Sequence, residues 1–156
     1  MKTFTAVMTV AILCATLVAA AAPGDYSIQV PAGWTKNTGS AAKEHYMKGG
    51  VSFILTVDTA PATAQAPDAF VEYVKKQLAG TFKNTKFEAV KKVTINGREG
   101  RELVYTGEMS GMKMKYDVVY IRKGDQYYTL TFGGLEEMFG TVKADIGAIV
   151  NSFKLK

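Results

Sequence analysis

Along residues 51–59, VSFILTVDT, apolar side chains take every second position, so Val51, Phe53, Leu55 and Val57 share one face of a strand. KEHYMK at 43–48 precedes it across Gly49-Gly50, a two-residue loop that predicts a hairpin. Upstream, YSIQV at 26–30 alternates and meets Pro31, predicting a strand that ends in a turn with Trp34 folded back onto the core. KFEAVKKVTI at 86–95 and REGRELVYTG at 98–107 flank Asn96-Gly97, where both positions tolerate positive φ, the strongest short hairpin signal. GMKMKYDVVYIR at 111–122 then meets QYYTLTF at 126–132 across Lys123, Gly124 and Asp125, with Tyr128, Leu130 and Phe132 on one face.

Two stretches change period. After the polar APATAQA loop at 60–66, Pro67 and Asp68 suit a helix start, because proline lacks the N–H that would go unpaired and aspartate favours the positive end of the dipole. Phe70, Val74 and Leu78 then form one inward stripe, and Gly80 is placed to end the helix. Near the C-terminus Phe139, Val142, Ile146, Ile149, Val150 and Phe153 recur at helical spacing, the clearest amphipathic helix of the chain. Gly133-Gly134 is expected to lead into it, with Glu136 and Glu137 in its first turn. The order of three strands, a helix, four strands and a helix predicts an α+β fold: an antiparallel sheet of about six to seven strands with two main helices packed on it.

The first residues follow neither pattern. A single cation, Lys2, precedes an uncharged run from Thr3 to Ala22 that ends in small residues, which predicts a cleaved secretory signal over residues 1–21, cut after Ala20 or Ala21, and one domain over 22–156. The apolar part proper, Ala6 to Val18, is short for a bilayer span, so no stable membrane span is expected after cleavage. The lone Cys14 lies within this run and follows Leu13, where a lipid-acceptor cysteine needs a small residue. The mature chain would then have no cysteine, which excludes disulfides, thiolate metal sites and a cysteine nucleophile. Loss of Lys2 leaves 18 of the 19 basic residues against 14 acidic ones. That excess is small and interspersed, so no nucleic-acid partner is expected. KNTKFEAVKK at 83–92 holds four lysines and one glutamate and reads as a solvated loop and strand edge.

YSIQVPAGW at 26–34, INGREGRELVY at 95–105, YYTLTF at 127–132 and the closing IVNSFK at 149–154 resemble the α/β sandwich family of the photosystem II extrinsic protein PsbP, the Ran-binding Mog protein and the bacterial envelope protein DcrB. The likeness spans nearly all of the chain after the leader. It implies a small, non-enzymatic, extracytoplasmic accessory domain of PsbP-like fold, docked on a membrane complex or envelope protein.

Candidate chemistry is sparse. His45 is the only histidine, and no nucleophile-elbow sequence accompanies it, so it reads as a strand residue facing solvent or satisfied locally. Glu136 and Glu137 are adjacent carboxylates that point about 100° apart on a helix and cannot flank one substrate bond. Met109, Met112 and Met114 are soft thioethers of the kind that select Cu(I), and His45 with Met47 on a neighbouring strand would extend that set. Strand alternation places Met112 and Met114 in the apolar row of Tyr116, Val118 and Tyr120, where methionine fills gaps. The reading therefore assigns no catalytic residue, cofactor or metal, and leaves these five as the metal candidates. The function expected is a periplasmic or secreted accessory module that docks on an envelope or membrane protein. The alternative is a small-ligand protein that uses a Tyr-lined cleft between sheet and helix, or a Met-based Cu(I) site.

Overall fold

The computed structural model describes residues 24–156, so the signal segment expected at 1–21 lies outside the described residues. Eight strands form one antiparallel sheet: β2 (Thr35–Lys36), β3 (Glu44–Lys48), β4 (Val51–Thr59), β5 (Lys83–Phe87), β6 (Lys91–Ile95), β7 (Arg98–Met109), β8 (Met112–Lys123) and β9 (Gln126–Leu135). Their spatial order is β2-β3-β4-β9-β8-β7-β5, and β6 shares the outer edge of β7 with β5. A separate two-stranded pairing joins β1 (Tyr26–Ser27) to β10 (Lys154–Leu155), tying the two ends of the described chain.

Helix α2 (Phe139–Ser152) seals one sheet face. Its stripe of Phe139, Val142, Ile146 and Ile149 packs on Val51, Phe53, Leu55, Leu130 and Phe132, all fully buried, with Phe53 stacked on Phe132 at 5.0 Å. Each such side chain contributes roughly 1.5–3 kcal/mol of burial, so this face holds most of the hydrophobic stabilisation. Trp34 folds back as expected: it is buried in this cluster and its Nε1 donates to Asp145 Oδ2 of α2 at 3.0 Å. Lys48 of β3 donates to the same oxygen at 2.6 Å, which fixes α2 against the sheet.

Helix α1 (Pro67–Leu78) lies on the other face. It begins with proline at its first position and Asp68 in its first turn, as the sequence predicts. Only Phe70 and Val71 are fully buried, whereas Val74 and Leu78 of the expected stripe are half-buried.

The remaining differences from the sequence reading have identifiable causes. The stretch at 86–95 is two strands, because the ladder on β7 shifts register after Lys83 and breaks at residues 88–90. YSIQV contributes only Tyr26–Ser27, and these pair with β10 outside the main sheet. Gly133 and Gly134 belong to β9, so the helix starts later than expected: Glu136–Met138 is a short 3-10 turn, and the two glutamates precede α2. Among the described residues, no helix is long and apolar enough to cross a membrane.

Candidate functional site

Because β4 alternates, sealing Val51, Phe53, Leu55 and Val57 under α2 turns Ser52, Ile54, Thr56 and Asp58 toward α1. Cross-strand register carries that face across the sheet: Ile54 stands opposite Thr131, then Val118, then Leu103, while Thr56 stands opposite Thr129, then Tyr120, then Arg101. Threonines and tyrosines thus alternate with aliphatic residues on the floor. Above them, Tyr73, Val74 and Leu78 of α1 stand off from the sheet, leaving a cleft of about 100 Å³.

The N-terminal half of α1 is anchored. Phe70 stacks on Tyr127 at 3.9 Å with the rings nearly parallel and meets Tyr120 edge-on at 5.6 Å. The Tyr127 hydroxyl donates to the Gln65 carbonyl at 2.8 Å, and Arg101 forks onto Asp68. In the C-terminal half, Lys75 Nζ lies over the Phe87 ring of β5 at 5.7 Å, and the cleft lies beneath this half.

Asp58 supplies the charge of the cleft. Its Oδ2 accepts from Thr56 Oγ1 at 3.1 Å and Thr129 Oγ1 at 3.5 Å. Burial raises the pKa of this carboxyl above its ordinary value, and the two hydroxyl bonds oppose that shift. No ion pair joins Asp58 to a cation among the described residues. The strand pattern held a signal for it: an acidic residue on the second face of a strand whose other face is wholly apolar. The sequence predicts a Tyr-lined cleft between sheet and helix and an inward α1 stripe of Phe70, Val74 and Leu78, but marks neither Asp58 nor the threonines.

The methionine candidates divide. Met109 is the last residue of β7 and pairs directly with Met112, across a loop of Ser110 and Gly111 that both have positive φ. Met114 stands opposite Gly107 and is buried, while Met109 and Met112 are half-buried against the same aromatic group. Phe82, Tyr105 and Tyr116 form that group, with Tyr105 stacked on Tyr116 at 4.8 Å. Three thioethers therefore share one sheet face at one hairpin end. His45 and Met47 do not join them, since β4 and β9 intervene between β3 and β8, a separation of roughly 14 Å. His45 is buried rather than solvent-facing, and neither ring nitrogen has a hydrogen-bond partner. Met47 is exposed. Among the described residues, no group of three or more His, Cys, Asp or Glu side chains is placed to hold a metal ion.

One face sealed by a long helix and the other left partly open beneath a short one define an α+β sandwich of the PsbP and Mog1 type. The chain belongs to the family described as the serine/threonine kinase C-terminal domain, which matches residues 18–155. Three solved structures share the fold. LpqN of Mycobacterium tuberculosis, described as involved in cell envelope biogenesis, has a TM-score of 0.66 at 12% identity, covering 84% of this chain and 83% of its own. The Ran-binding protein Mog1p of Saccharomyces cerevisiae has a TM-score of 0.59 at 13% identity, covering 85% and 90%. The cyanobacterial PsbP of Synechocystis has a TM-score of 0.54 at 14% identity, covering 85% and 87%. At these identities the likeness is one of fold. No curated protein matches the sequence.

Proposed function

We propose that this chain is a non-enzymatic, exported accessory module, formed by residues 22–156 behind a signal peptide at 1–21, which acts by docking on an envelope or membrane protein. The observation that carries the reading is the inequality of the two sheet faces. The α2 face is filled by fully buried side chains, while the α1 face keeps a cleft under a half-buried helical stripe. A face left unfinished by its own helix offers recognition surface that the stability of the fold does not require. Family membership supports the same reading, because the family is described as a domain that accompanies kinases at their C-terminus. A fold neighbour described as Ran-binding and another described as involved in envelope biogenesis are consistent with a module that binds. The test is crosslinking in the native envelope followed by recovery of the tagged protein. One reproducible envelope protein, lost when Tyr73 and Leu78 are changed to glutamate, is the expected result; no reproducible partner overturns the reading.

A second reading is favoured by the cleft itself: binding of a small ligand between α1 and the sheet. Its concavity, apolar walls and few convergent polar groups are the features of small-molecule sites.

A further inference from the structure

Within the second reading, on which this inference rests, the cleft has a definite chemical preference. We propose that it binds a small organic ammonium ion, whose nitrogen meets the Asp58 carboxylate and whose chain of about four carbons lies between α1 and the sheet floor.

The first ground is charge. Asp58 sits in a largely apolar cleft with hydroxyl partners and, among the described residues, no ion-paired cation. The two arginines nearest in register bond elsewhere. Arg101 is committed to Asp68 and Glu99, and Arg122, which follows Asp58 and Tyr127 across the strands, donates its Nε to the Gly124 carbonyl at 2.6 Å. Both threonine bonds fall on Oδ2, and neither uses Oδ1.

The second ground is the wall. Phe70, Tyr73, Tyr105 and Tyr120 line the same space, and the negative faces of aromatic rings attract organic cations. Ile54, Val74, Leu78 and Val118 supply aliphatic contact for the carbon chain. The third ground is size. A cavity of roughly 150 Å³ holds a benzene molecule, so a cleft of about 100 Å³ fits a butyl chain and excludes bulky amines.

The test titrates n-butylammonium and 1-butanol into the purified protein and follows backbone amide shifts. Butylammonium is expected to bind at least tenfold more tightly than butanol and to move residues of the cleft. Asp58→Asn should remove that preference while leaving butanol unchanged. Val74→Trp, which fills the cleft from the half-buried face of α1, should abolish binding of both, and it keeps the test available if Asp58→Asn does not fold. Equal affinities for the two probes, or a preference that survives Asp58→Asn, overturn the ammonium assignment and leave a ligand cleft standing. No binding by either probe overturns both. A third arm uses Nα-acetyl-lysine methylamide. Binding equal to butylammonium supports the site and names a lysine side chain of a protein as its source; weaker binding supports the site and names a free amine.

Discussion

The Arg101 guanidinium on β7 holds the Asp68 carboxylate of α1 from two nitrogens, Nε at 2.5 Å and Nη2 at 3.2 Å, with Nη1 turned to Glu99 at 2.7 Å. The arginine side chain is 5% exposed and its partner 71%, so one buried fork fixes the first turn of an otherwise lightly held helix. A lysine carries the charge but cannot fork. Arg101→Lys is expected to lower Tm by several degrees and to speed hydrogen exchange of the α1 amides beyond that of α2. Arg101 holds the Asp68 carboxyl below its ordinary range, so the contribution of this pair is complete at neutral pH. It is lost only as pH falls through the lowered value, and the difference between Asp68→Asn and wild type should vanish in acid.

Asp117 behaves in the opposite sense. Register places it in the row of Phe53, Phe132 and Val104, on the α2 side, and its Oδ1 is buried without a partner. Burial first, then the neighbouring Glu102 charge, pushes its carboxyl from the ordinary 3.8 up to about 6, with Lys115 and Lys91 opposing. A folded-state pKa above the unfolded one means that ionisation of this group weakens the fold, and that stability is recovered as pH falls from about 6 toward 3.8. Asp117→Asn mimics the protonated form and should stabilise the protein by about 1–3 kcal/mol at pH 7 and by little at pH 4. Urea melts at the two pH values measure this directly.

How far these features were legible depends on whether they are written locally. The Asn96-Gly97 hairpin forms with Ile95 opposite Arg98, and the α2 stripe of Phe139, Val142, Ile146 and Ile149 is buried where its spacing put it. Gly133 and Gly134 read as a loop because their reason is tertiary. A Cβ at Gly134 would lie 2.4 Å from the Gly50 carbonyl oxygen, and one at Gly133 would lie 2.6 Å from the Tyr116 ring. The glycines let neighbouring chain and ring press onto β9, so they continue the strand rather than end it. The cleft was legible only as tyrosines on a strand face. Its depth follows from how far α1 stands off, which depends on Arg101, Phe70 and Tyr127 acting at long range.

The methionines give a test of packing against ligation. Met114 is buried beside the aromatic group of Phe82, Tyr105 and Tyr116, where a thioether fills irregular space. Met114→Ala should therefore cost about 2–5 kcal/mol, and Met114→Leu less than about 1.5 kcal/mol, by chemical denaturation. The same samples decide the Cu(I) question. If reduced wild type takes up Cu(I) in competition with a chelator, and Met112→Leu with Met114→Leu loses it while still folded, the hairpin end is a metal site.

His45 sets the final expectation. Its ring is buried with both nitrogens unpartnered, and burial lowers its pKa from the ordinary 6.5, so the folded ring binds a proton less readily than the unfolded one. As pH falls through 6.5 the unfolded chain takes up this proton before the folded ring does, and stability is lost as pH falls from there toward the lowered folded value. His45→Leu keeps an apolar side chain of similar bulk on β3 and removes both the unpartnered nitrogens and the titration. The gain in Tm should be larger at pH 5 than at pH 8. Asp117→Asn should show the reverse order, and because the two residues stand on opposite sheet faces, their effects should add in the double variant. In wild type the two titrations oppose each other near pH 6, which hides both from a single pH profile. A His45→Leu gain that is the same at both pH values would mean that the folded ring binds its proton as readily as the unfolded one, and the lowering by burial would have to be abandoned.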